Sequence, residues 1–338
     1  MPVLISHSPG RRASVSRRAV MAGAAALAAT ARARAEAPAT SFKVGTLAFG
    51  TVHWVMETIR RNGFDTAQGF AVAPTLLASS EAARIAFLGG SVDTIVNDIF
   101  FAARLKAEGR PLQFLPFSST EGALIAKPTS TIRDVGDLKG KSIGVSGGPL
   151  DKNWLILRAD AQKSARLDLA KDARPAFGAP PLLAAKVDAG ELDCGLLYWS
   201  DAARLEAKGF RRVLDTESIV ARLGAPGRVA IGGFLLHPET SPATRAGFAK
   251  AVRRANDLLA NEPKAWDPLR PLMRAPDEAT FQALKAAYLR GVPTKPRAAE
   301  IADAQAFFAV VAGLGGAALV GEATSLPADL YVDAAALN

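Results

Sequence analysis

Four carboxylates fall where a strand is expected to end or in the loop just after it: Asp98, Glu121, Asp151 and Asp201. A carboxylate at such a position caps a helix, pairs with a base, or offers its oxygens to a ligand. Asp151 stands just before a helix containing Trp154, where a cap suits the helix dipole; Lys152 and Arg204 are candidate ion-pair partners. Segments 49–51, 97–98, 118–121 and 198–201 contain no arginine, although an anion site ordinarily uses a bidentate arginine or exposed amides. The pattern predicts a neutral to acidic pocket for a cationic or polar uncharged ligand. In principle the four carboxylates also suit a multivalent metal ion, lanthanides included.

Other motifs imitate catalytic ones. Gly144-Val145-Ser146-Gly147-Gly148 fits the G-x-S-x-G nucleophile elbow. A hydrolase would need an acid and then a histidine downstream, and only His237 follows, in Leu236-His237-Pro238-Glu239. The segment reads equally as a glycine-rich turn that lets a ligand approach the amides of the next helix. The run 136–142 resembles a Walker A loop one residue short, placed before a strand instead of a helix. His53 follows the first strand, but the 3 histidines lack metal-ligand spacing. One cysteine, Cys194, excludes an intramolecular disulfide framework and cysteine-rich metal sites. Trp54, Trp154 and Trp199 lie near strand-to-helix junctions, as core residues or as stacking surfaces. No catalytic residue and no cofactor is expected.

The elements that must position these residues alternate. Strands are expected at 42–47, 69–74, 92–96 and 112–116, with helices after 52, after Ser80 and over 99–108. A second series has strands at 122–126, 141–145, 192–197 and 211–214, helices at 151–163 and 182–189, and an apolar run at 229–236. From Ser241 onward the pattern is helical. Two α/β units with a helical tail result, and parallel sheets place ligands beyond the carboxyl ends of their strands.

The chain has 338 residues with 49% hydrophobic and 22% charged, which excludes a disordered chain, a collagen repeat or a coiled coil. Six of the 41 basic residues and none of the 32 acidic ones fall in residues 1–35, so the formal +9 belongs largely to that segment. A near-neutral body gives no nucleic-acid-binding surface. Ser16-Arg17-Arg18 precedes an alanine-rich run over 19–31, and Ala33-Arg34-Ala35 follows. This resembles a twin-arginine export leader, with an ordinary secretory signal as the alternative. Either way the mature chain is expected from about Glu36, in a bacterial periplasm and without membrane insertion.

Lys43-Val44-Gly45, Phe49-Gly50-Thr51, Gly89-Gly90-Ser91-Val92-Asp93, Asp137-Leu138-Lys139-Gly140-Lys141 leading into Ile143-Gly144-Val145, Gly190-Glu191-Leu192-Asp193 and Tyr198-Trp199 occur in this order. Over nearly all of residues 41–338 they resemble the periplasmic solute-binding proteins of ABC importers, in particular the nitrate, taurine, aliphatic-sulfonate and thiamine-precursor group. The resemblance implies an α/β, type II periplasmic-binding-protein fold: two lobes, each a mostly parallel sheet flanked by helices, joined by two crossovers around a ligand cleft. Lobe one would be 41–117 plus 224–338 and lobe two 118–223. Hinge closure would capture one small molecule or ion for delivery to a permease and its ATPase, without chemistry, as a monomer. Lobe one would supply Phe49, Gly50, Thr51, Asn97 and Asp98. Lobe two would supply Glu121, Ser146, Gly147, Asp151, Trp154, Tyr198, Trp199 and Asp201, with Ser118 and Ser119 at the crossover. Two alternatives use the same fold. One is an enzyme making pyrimidine or menaquinone precursors, although the pyrimidine-forming relatives use a cysteine-rich iron segment that this chain lacks. The other is a ligand sensor for a membrane receptor.

Overall fold

The computed structural model describes residues 40–332 except Phe49 and Gly227. The expected leader, its cleavage point and the candidate residue Phe49 lie outside the described residues.

Ten strands among the described residues form two five-stranded sheets. The first contains β1 (Thr40–Leu47), β2 (Phe70–Leu77), β3 (Thr94–Asp98), β4 (Gln113–Ser118) and β10 (Gly232–Leu236), in the order β2-β1-β3-β10-β4. The second contains β5 (Gly122–Ala126), β6 (Ser142–Ser146), β7 (Arg174–Gly178), β8 (Cys194–Tyr198) and β9 (Arg211–Asp215), in the order β7-β6-β8-β5-β9. Both are mixed. β10 runs antiparallel to β3 and β4, and β5 runs antiparallel to β8 and β9. β1–β3, β6–β7 and β6–β8 are parallel.

Helices follow the parallel strands: α1 (Val52–Arg61), α2 (Ser80–Leu88) and α3 (Ile99–Ala107) after β1, β2 and β3, and α4 (Lys152–Ala165) after β6. The short α5 (Leu169–Asp172) precedes β7, while α6 (Pro180–Ala189), α7 (Trp199–Ala207) and α8 (Thr216–Leu223) follow β7, β8 and β9. The tail holds α9 (Pro242–Asn261), α10 (Arg270–Met273), α11 (Glu278–Gly291) and α12 (Arg297–Val320).

Two local sequence signals have a physical reading. Asp93 and Asp193 each end a Gly-x-x-Asp stretch, and each holds the start of a neighbouring strand. Asp93 accepts from the Lys43 amide at 2.6 Å, and Asp193 from the Ser142 amide at 2.7 Å. The motif is thus the same strand-registering device used once per sheet. In the segment entering β6, Asp134 and Asp137 form a capping box, and Gly140 takes the positive φ of 71° that turns the chain into the strand.

The tail joins both halves. α11 packs on α7, and α12 packs on both α3 and α4. Arg297–Ala317 is long and apolar enough to cross a membrane by length and composition, with mean hydropathy 1.3. Its Ala304, Phe307, Phe308 and Val311 are nevertheless buried in the protein core. Cys194 in β8 is buried as well, and burial pushes its thiol up to about 12. Native protein at pH 8 is therefore expected not to react with an aromatic disulfide reagent, and unfolded protein to release one thiol equivalent. Fast reaction of the native chain would mean that β8 opens locally.

Candidate functional site

A cavity of about 730 Å³ lies between the two sheets. It is placed by topology: the starts of α1, α2, α3, α4, α6 and α7, each following the carboxyl end of a strand, all contribute to its wall. Such junctions direct backbone N–H groups at whatever fills the space. α2, α3 and α4 close part of their own N-termini with Ser79, Asp98 and Asp151. α1, α6 and α7 begin without a side-chain cap; α6 starts on Pro180-Pro181, which carry no N–H, so the uncapped amides are chiefly those of α1 and α7.

Of the residues expected in the site, Gly50, Thr51, Asn97, Asp98, Ser118, Glu121, Gly147, Asp151, Tyr198, Trp199 and Asp201 line the cavity. Ser146 and Trp154 do not, each being about 1% exposed. Trp154 is in the first turn of a helix that Asp151 caps. This turns its ring under the sheet, where it meets Phe177 edge-on at 5.9 Å. Ser146 Oγ is buried with no hydrogen-bond partner. No base reaches it, and His237 packs against Phe87 instead, so the elbow motif is a turn. His53 is a structural residue: its Nε2 lies 3.0 Å from the Leu47 carbonyl and 3.1 Å from the Thr46 hydroxyl, and burial lowers its pKa.

The expected four-carboxylate metal site is not formed. Among the described residues no three His, Cys, Asp or Glu side chains are placed to hold a metal ion. Each carboxylate has a local partner. Asp98 accepts from the Phe101 amide at 2.9 Å. Asp151 accepts from the Asn153 amide at 2.9 Å and from the Tyr198 hydroxyl at 3.0 Å. Asp201 lies 3.4 Å from the Ser200 hydroxyl. Glu121 pairs with Lys152 at 3.0 Å. Burial pushes Glu121 up to about 7 against the pull of Lys152, and burial also raises Asp151. Burial alone would lower Lys152, but Glu121, Asp151 and Asp98 together hold it above its ordinary value.

The cations of the cavity come from positions outside the strand-end loops. Arg84, on α2, and Arg104, on α3, line it together with Lys152. The Arg84 guanidinium stands 4.6 Å from the Phe101 ring centroid, donates to Asn97 Oδ1 at 3.2 Å and is 3.7 Å from Asp98. Arg104 lies 5.4 Å from the same ring and has no carboxylate partner among the described residues. Helical side chains tilt toward the helix N-terminus, so arginines one turn inside α2 and α3 reach back to the cavity.

No protein-family model and no curated protein matches this sequence. Solved structures do. The alkanesulfonate-binding protein SsuA from Xanthomonas axonopodis pv. citri, bound to MOPS, is 19% identical with a TM-score of 0.62, covering 85% of this chain and 98% of that one. The fold is that of the type II periplasmic binding proteins. An ABC transporter protein from Parabacteroides distasonis is 15% identical at a TM-score of 0.63, covering 87% of this chain and 99% of that one. The desulfurization enzyme DSZB, 15% identical at a TM-score of 0.54, covers 86% and 95% respectively, so this binding-protein fold also carries an enzyme. In the terms of the fold, the two sheets are the two lobes and the cavity is the interlobe cleft.

Proposed function

We propose that the protein is the solute-binding component of an ABC-type importer, acting in the periplasm after its leader is removed. It captures one small organic anion in the interlobe cavity by hinge closure and delivers it to a permease and its ATPase. Lobe one is 41–117 plus 224–338 and lobe two is 118–223, with the 118–121 segment as one crossover. The observation that supports this reading is the cavity itself. Six strand-to-helix junctions from both lobes face it, three of those helices start without a side-chain cap, and Arg84 and Arg104 stand in its wall. An anion touching both lobes binds the closed state better than the open one, and that difference drives closure. An anion is proposed in place of the cationic or polar uncharged ligand expected from the loops alone, because the acids of the cavity already have partners and the two arginines line it. Ser146, the serine of the elbow motif, has no hydrogen-bond partner to act as its base, so a receptor accounts for the site better than a serine hydrolase of that kind.

Thermal unfolding of the purified protein against alkanesulfonates, nitrate, pyrimidines, polyamines, calcium and lanthanide ions tests this. A ligand at 100 times its dissociation constant adds ~2.7 kcal/mol, a shift of several degrees. Anions are expected to raise the midpoint. A shift with polyamines or metal ions alone would overturn the charge assignment, and no shift with any compound would overturn the receptor reading.

A further inference from the structure

We infer that Glu121 and Lys152 form a proton-linked subsite: the anionic group of the ligand takes over the Lys152 ammonium, and the Glu121 carboxylate, losing its counter-ion, takes up one proton from solvent. This rests on the anionic-ligand reading above.

The geometry carries it. Glu121 stands in the short segment between β4 and β5, where the chain passes from one sheet to the other, and Lys152 is the first residue of α4. Both line the cavity, yet their side chains are only 7% and 16% exposed. Lys152 has three N–H donors, and its only ion-pair partner among the described residues is Glu121. The ammonium can therefore turn from Glu121 to an anion in the cavity without leaving its place.

The surroundings decide where the proton goes. The charged groups acting on Glu121 are Lys152 and Asp151 from the start of α4, and Asp98 from the start of α3. Tyr198, at the end of β8, reaches the group through its hydrogen bond to Asp151, and Arg84 sits beside Asp98. Asp151 is supported by an amide and a phenol, and Asp98 by an amide. Among the described residues Glu121 has only Lys152. Of the three carboxylates it is the one with least donor support, and burial holds it near 7 even with the lysine in place. An anion at Lys152 adds negative charge and removes that support. Its pKa must rise further, and a proton must enter.

The sign follows from linkage. The complex holds the proton and free protein loses it as pH rises through about 7, so affinity falls over that interval. The expected change is about tenfold in dissociation constant between pH 6 and pH 8, with uptake of about half a proton per ligand at pH 7. The probe is 1-butanesulfonate, whose charge is constant over this range, titrated calorimetrically into the full chain in buffers of low and high ionisation enthalpy. Glu121→Gln is expected to abolish both the buffer dependence and the pH dependence. Lys152→Gln is expected to weaken binding at pH 6 by at least tenfold. Binding of butanesulfonate with no proton uptake, or with a pH profile unchanged in Glu121→Gln, would overturn the inference and leave the receptor reading standing. Failure of every anion to bind would overturn the anionic-ligand reading and this inference with it. Should Glu121→Gln not fold, the buffer dependence of the unaltered protein decides alone, since zero uptake refutes the proposal without any variant.

Discussion

Trp54→Ala is expected to cost about 3–5 kcal/mol of stability, and to weaken ligand binding with it. Trp54 is 2% exposed in α1. Its ring lies 5.9 Å from Trp199, 6.2 Å from Trp266 and 5.8 Å from Tyr288, the first two pairs edge-to-face. Two polar edges of the cluster are satisfied: Trp266 Nε1 donates to the Leu259 carbonyl at 2.7 Å, and the Tyr288 hydroxyl to Asn256 Oδ1 at 2.7 Å. Removing the central ring therefore leaves a cavity lined by aromatic faces that hydrogen bonds prevent from collapsing inward. The cluster gathers α1, which follows β1 of the first sheet, α7, which follows β8 of the second, and α11 of the tail, and Trp199 and Tyr288 also line the cavity. Its loss should thus be felt in the relation between the lobes as well as in the core. Chemical denaturation measures the first effect, and a midpoint shift on the order of 10 °C accompanies it. A cost below about 1 kcal/mol would show that the site relaxes around the void.

The element order was legible because alternation of short apolar runs with amphipathic segments is a strong signal. The strand expected at 42–47 is β1, and the helix expected over 99–108 is α3. Four elements were not expected, α5, β7, α7 and α8, and two of them show why. β7, Arg-Pro-Ala-Phe-Gly, lies at the edge of the second sheet with no fully buried residue, so nothing forces hydrophobic residues into it. α8 is eight residues long and announced mainly by its Asp215 cap. In the site, the Asp151 cap was readable because a cap depends on one residue and the three that follow it, whereas Asp98, expected only as a strand-end acid, caps α3 in the same way. Which tryptophan faces the cavity was not readable, because it depends on the rotation of the helix. Trp199 opens α7 and looks into the cleft, whereas Trp154, three residues past its cap, looks into the core. The arginines were missed for a related reason. Attention to strand ends finds what stands at the mouth of each loop, and Arg84 and Arg104 reach the cavity from the following helix.

Arg84→Ala is expected to weaken binding of 1-butanesulfonate by about 10- to 100-fold, the range of a charge-assisted hydrogen-bond set, while hardly changing the unfolding midpoint. The two readouts separate because the side chain is one-third exposed and its contact with Asp98 is long, at 3.7 Å. An ion pair of that kind contributes less than about 1 kcal/mol to folding. Its guanidinium is oriented by the Phe101 ring at 4.6 Å and by Asn97, so it meets a ligand already in position. Arg84→Lys keeps the charge but loses the planar fork and the stack, and is expected to recover only part of the affinity. Full recovery in the lysine variant would reduce Arg84 to a point charge. Unchanged affinity in Arg84→Ala would transfer the role to Arg104 or to the open amides of α1 and α7. Binding in that variant that weakens as salt is raised would point to the remaining cations, Arg104 and Lys152, and binding that responds little to salt would point to the backbone amides.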